Sequence, residues 1–244
     1  MTSTLQETHA SVCRPLTVVD LAPTAATTAE PARWLALGAV AGPVVFALAW
    51  FVLGFVSPGY TLFGTWIAPY SPISQPISGL GLGVTAPFMN AAFIAGGLML
   101  VAGVIGIFRT LDAPGRPGAR RASAALLGLC GVGMVIDGIF DLEAMMAHLV
   151  GFGLGVVAQV AGFLVAGLFL RGIPSWRRFG GWLLLGSPLT LLLVVAFFLS
   201  FDPAGSGAHE GMAGLTQRLL VLEVHAWFVA MGWLAFRRGR PRVR

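Results

Sequence analysis

The chain has 244 residues, of which 57% are hydrophobic and only 10% charged, and its mean hydropathy is +0.85. A soluble domain carries roughly 25% charged residues, so this composition excludes an ordinary soluble globule and points to a membrane protein. The net charge of +5 is all arginine, since no lysine occurs. These arginines flank apolar runs, where membrane topology accounts for them, so the pI near 10.5 does not indicate a nucleic-acid partner.

Residues 1–33 are rich in Thr, Ala and Pro and carry scattered charges without periodicity, which predicts a disordered tail. No basic stretch leads into an apolar run and a cleavage site there, so it does not read as a signal peptide. Cys13 in this tail and Cys130 in mid-span are too far apart to pair, and no disulfide is expected.

A six-helix transmembrane domain is predicted over 34–236. Its apolar runs lie at about 34–56, 86–108, 122–140, 149–170, 181–201 and 219–236, each about long enough to cross roughly 30 Å of hydrocarbon. None alternates with period two, so a barrel is excluded. The fold class expected is all-α, a polytopic helix bundle, with a basic tail at 237–244.

Arginines cluster in every second connection. Arg109, Arg116, Arg120 and Arg121 follow the second run, Arg171, Arg177 and Arg178 the fourth, and Arg237, Arg238, Arg240, Arg242 and Arg244 the sixth. Arg218 is the sole basic residue of the other connections. The positive-inside rule then predicts both termini in the cytoplasm of a bacterial-type plasma (inner) membrane. Tyr60–Phe88, Asp141–His148 and Asp202–Gln217 would face outward.

Between the first two runs, Tyr60–Phe88 holds no ionisable Lys, Arg, Asp, Glu or His but many Pro, Gly, Ser and aromatic residues. Pro fixes φ and Gly admits positive φ, so the segment prescribes one backbone path. It reads as an ordered cap on the bundle. Inside the spans, Gly38–Gly42 and Gly151–Gly155 fit G-x-x-x-G, and Gly128, Gly131 and Gly133 stud the third run. Tight packing within one chain is the leading reading of these faces, and a homo-oligomer the other. Pro43 and Pro188 predict kinks.

Ionisable groups in a bilayer are costly and each needs a reason. Asp137, Glu223 and His225 lie in spans, all towards the cap, with Asp141, His148 and Arg218 at the boundary. Gln159, in the middle of the fourth run, is a further buried polar residue. Asp137 and Asp141 share a face if the helix continues between them. Glu223 and His225 lie about 200° apart around their helix, so one faces the bundle interior and the other a neighbouring helix or the interface.

Three readings follow. In a structural clamp, Arg218 is neutralised by Asp137, Asp141 or Glu223. In a ligand site, Ser74, Ser78 and Gly81 of the cap, with Asp137, Asp141, His148, Arg218, Glu223 and His225, hold a lipid headgroup or small amphiphile. In the third, the carboxylates relay protons or take part in catalysis.

No enzyme signature is complete. His209-Glu210 lacks the second His of H-E-x-x-H, and Gly205-Ser206-Gly207 is not G-x-S-x-G. A serine-based hydrolase would need a Ser–His pair; Ser74 or Ser78 with His148 or His225 would serve, and spacing does not choose. No ligand set has zinc spacing, and no metal or cofactor is expected.

The segment Ser74-Gln-Pro-Ile-Ser-Gly-Leu-Gly81, followed by Phe88-Met-Asn90 and Gly138-Ile-Phe140, is similar to a bacterial membrane family known as domain of unknown function 998. Its six-helix members carry Ser-x-Pro-Ile-Ser-x-Leu-Gly in the first outer loop. The resemblance covers about Trp34 to Phe236. Many relatives have Asp before Leu-Gly where this chain has Gly79, so no carboxylate role carries over to that position. A fainter likeness is to the eukaryotic six-span family of the DNA-damage-regulated autophagy modulators and a GPI-anchor remodelling factor, which implies lipid handling. The leading expectation is a non-enzymatic lipid-binding membrane protein. A proton-coupled transporter and a membrane-embedded lipid hydrolase are the alternatives.

Overall fold

A computed structural model describes residues 26–238 apart from Asp112 and Pro114. Six helices in it are long and apolar enough to cross a membrane: Glu30–Val56, Gly83–Thr110, Pro117–Ile139, Leu142–Arg171, Pro174–Ser200 and Ala213–Arg238. All six begin before the expected runs, and the second, fourth and sixth also end beyond them, because hydropathy marks only the apolar middle whereas helices continue to a local stop signal. The third span, for example, opens with Pro117 at its first position, where the missing N–H costs nothing.

The first span is α1 (Ala26–Ala36) and α2 (Gly38–Val56), joined at Leu37. The expected tail is thus corrected at its end: residues 26–33 are helical. The rest of that tail, with Cys13 and Arg240, Arg242 and Arg244 at the other terminus, lies outside the described residues. The second span is α3 (Ala86–Thr110) and the third α4 (Pro117–Ile139). The fourth joins α5 (Met145–Phe152) to α6 (Ala158–Arg171) through a wider π turn at Gly153–Val157. Gln159 is buried just beyond that turn and donates to the carbonyls of Leu154 (3.1 Å) and Leu126 (3.3 Å). The fifth span is α7 (Arg177–Ser200); after a short α8 (Pro203–Gly207) the sixth is α9 (Ala213–Arg238). Pro43 and Pro188 lie within continuous helices.

Successive spans pack side by side, and α9 returns to α1 and α2, closing a ring; α3 also meets α9 across the middle. Glycine permits the close approaches. A Cβ on Gly38 or Gly103 would collide with the other segment's backbone, as would one on Gly42 with the Gly96 carbonyl and one on Gly133 with Gly151 and Gly155. In lipid, dispersion across such contacts replaces the hydrophobic drive. Both G-x-x-x-G faces are therefore used inside the chain.

At one end the connection 57–85 folds over the ring. Strands β1 (Tyr60–Leu62) and β2 (Thr65–Ile67) form an antiparallel hairpin, with Tyr60 opposite Ile67. Its turn residues Phe63 and Gly64 both have positive φ, 48° and 78°, as a tight two-residue hairpin loop requires. This ribbon adds a small β element to the expected all-α fold. Ser74 to Leu82 then dips into the bundle, every residue buried. At the far end Arg33 lies over the rings of Trp34 and Phe236, and Arg238 over Trp176 at 4.8 Å.

Candidate functional site

Pro76 is extended and starts a 3₁₀ turn, Ile77–Gly81, that places Ser78 inside the bundle mouth. A Cβ on Gly79 would strike the Tyr60 ring, and one on Gly81 the Asn90 amide oxygen. A side chain at position 79 therefore has no room here.

Arg218 holds this cap down. Its Nη1 donates to the carbonyls of Pro72 (2.7 Å), Gln75 (3.1 Å) and Gly214 (2.9 Å), and its Nη2 to the Tyr70 hydroxyl (2.5 Å). Tyr70 in turn donates to the Pro76 carbonyl, and the guanidinium lies 5.4 Å from the Trp50 ring centroid. Burial raises the Tyr70 phenol above its usual pKa despite the opposing pull of Arg218, and burial raises that of Tyr60. The ion pair expected between Arg218 and Asp137, Asp141 or Glu223 is not formed. Cap carbonyls approach from directly above, and the carboxylates are directed elsewhere.

Asp141 is not on the Asp137 face, because α4 stops at Ile139 and Phe140 is extended. Asp141 instead caps the following 3₁₀ turn, accepting from the Glu143 N–H at 3.0 Å. Glu223 faces α7, where it accepts from Thr190 (2.9 Å) and Trp227 (2.6 Å). The Ser74 hydroxyl is buried without a hydrogen-bond partner, and Gly81 offers its carbonyl to Asn90 at 3.3 Å.

Ser78, His148 and Asp137 do come together. The Ser78 hydroxyl lies 2.8 Å from His148 Nε2. His148 Nδ1 lies 2.8 Å from the Phe140 carbonyl and 3.6 Å from Asp137 Oδ1. A carbonyl only accepts, so Nδ1 carries a proton, and in neutral imidazole Nε2 is then the acceptor for the Ser78 O–H. Ending α4 at Ile139 is what frees the Phe140 carbonyl to aim at the ring. Gly151, one turn beyond His148, makes room for Asp137: a Cβ there would collide with Oδ1.

Two cavities flank Ser78. One, of about 40 Å³, is lined by Asp137, Cys130, Gln217 and His225 together with apolar side chains. The other, of about 50 Å³, is lined by His148, Gln217, Met145, Leu149, Phe152, Phe197, Phe198 and Phe201. Leu149, Phe198 and Phe201 are exposed on the outer face of the bundle. His225 Nδ1 and Asp137 Oδ1 are buried without hydrogen-bond partners. Among the described residues no group of His, Cys, Asp and Glu is arranged to hold a metal. Sequence reasoning missed Gln217, Tyr70 and Gly151. Each is an ordinary residue for its segment, and only the docking of the cap gives it a role.

These features define a six-span α-helical membrane protein with a motif-bearing cap plugged into one end of the bundle. The chain belongs to the family described as protein of unknown function DUF998, whose model matches residues 40–234. No curated protein and no solved structure matches it.

Proposed function

We propose that this protein is a membrane-embedded serine acyl hydrolase acting on lipid esters, with Ser78 as nucleophile and His148 as general base. The observation that carries this reading is the tautomer-fixing contact of His148 with Phe140, which leaves the basic nitrogen 2.8 Å from the Ser78 hydroxyl. This is the arrangement that activates a serine: a base within hydrogen-bond reach, itself oriented by a third group. Asp137, 3.6 Å from Nδ1, supplies negative charge to the imidazolium when ionised. The apolar cavity beside Ser78, rimmed by Leu149, Phe198 and Phe201, supports a lipid acyl chain as the group presented to it. Lipid is thus the partner, as in the headgroup reading, but the chemistry centres on Ser78 rather than Arg218, whose Nη1 and Nη2 already engage the cap.

The arginine distribution supports a plasma (inner) membrane placement with both termini in the cytoplasm and the cap outside. The deciding experiment treats protein in mild detergent with a hydrophobic fluorophosphonate and maps the adduct by peptide mass spectrometry. Ser78 is expected to be labelled, Ser78→Ala to abolish labelling, and His148→Ala to slow it by about 10²–10⁴-fold. Wild-type protein that is folded yet unlabelled at Ser78 would overturn the reading.

A further inference from the structure

Attack by a serine on an acyl carbon turns the carbonyl oxygen into an oxyanion, and in an apolar surround that charge needs pre-positioned donors. Gln217, on the first turns of α9, is 5% exposed and lines both cavities that flank Ser78. Besides Ser78 itself, Phe152 is the one other residue shared by the two linings. Gln217 Oε1 accepts the backbone N–H of Ile77, the residue before the nucleophile, at 2.6 Å. That bond settles the amide orientation, because an N–H faces only the oxygen. With Oε1 held on the cap backbone, Nε2 is the donor that the amide of this cavity-lining residue has left to offer. Arg218 Nη1 and Nη2 are engaged with cap carbonyls and Tyr70, and His148 Nδ1 with Phe140.

We propose that Gln217 is a catalytic residue of the Ser78 site, its Nε2–H donating to the oxyanion; this rests on the acyl-hydrolase reading above. In the step, Ser78 Oγ bonds to the acyl carbon while its proton passes to His148 Nε2. The C=O π pair moves onto oxygen and is met by Gln217. Collapse restores C=O and breaks the bond to the alcohol oxygen, which takes the proton from His148 Nε2. Water repeats the sequence on the Ser78 ester and releases the carboxylic acid.

The test is Gln217→Glu, which keeps an oxygen for Ile77 N–H and nearly the same shape but removes the donor. With a medium-chain p-nitrophenyl ester, kcat is expected to fall about 10²–10³-fold with KM little changed. Phosphonylation of Ser78 is expected to slow in parallel, with the thermal midpoint held. Gln217→Met, which carries no charge, is expected to lower kcat alike. A purely structural tie would instead spare kcat in Gln217→Glu and lower stability in Gln217→Met. Wild-type labelling at Ser78 combined with undiminished kcat in either folded variant overturns the role of Gln217 alone. Absence of labelling in wild type removes the hydrolase reading and this one with it.

Discussion

Replacing Arg218 by Ala is expected to release the cap without unfolding the bundle. The substitution leaves the part-buried carbonyl of Pro72 and the buried carbonyl of Gln75 without the donor that now meets them and removes the bond to Tyr70. Each stranded acceptor costs about 1–3 kcal/mol. Part of this is returned, because a guanidinium no longer has to be taken out of water. A net loss of roughly 3–5 kcal/mol in cap docking follows, comparable to removing one partner of a buried charge pair. Amide exchange of Gln75 and Ile77 reads it directly. Their N–H groups are tied to Ser71 and Gln217, and at 1.4 kcal/mol per decade they are expected to exchange about 10²–10⁴-fold faster. Exchange in the middle of α3 and α4 is expected to stay unchanged. Glu223→Gln is expected to leave the cap unaffected, since Glu223 bonds Thr190 and Trp227. Unchanged cap protection in Arg218→Ala, or equal loss in Glu223→Gln, would refute the clamp as described.

Gly151→Ala places a methyl group against Asp137 Oδ1. It is expected to push the carboxylate off His148 and slow fluorophosphonate labelling of Ser78 at least tenfold, with a stability cost of about 1–3 kcal/mol from overpacking. Labelling at the wild-type rate would show that Asp137 takes no part. The two cap tyrosines set a pH limit. Burial raises both phenols in the folded chain, so their contribution to stability is complete below the ordinary value near 10 and falls as pH rises beyond it. Cap exchange is expected to accelerate above about pH 10 in the wild type, and less so in Tyr70→Phe. An accelerating limb unchanged in Tyr70→Phe would assign the titration elsewhere.

Sequence alone determined the number of spans, the grouping of arginines at one end, the cap and its motif. These follow from local quantities: an apolar run has to span the hydrocarbon wherever its neighbours lie, and Pro-Gly spacing constrains its own backbone. The same reasoning gathered Ser78, Asp137, His148 and His225 at the cap end, because height along a span is readable from position. It did not choose among the serines and histidines, and it gave Arg218 a carboxylate partner. Those are questions of azimuth and of where α4 stops. The break at Phe140 turns Asp141 away and aims a carbonyl at His148, while α9 presents Arg218 to the cap rather than to Asp137. Only the closed ring, with α9 packed back on the first span and the cap seated in its mouth, brings residues 70 and 78 to partners at 218 and 148. Contacts across such sequence distances depend on how six helices rotate against one another through their glycine faces, and a single helix's periodicity does not encode that rotation.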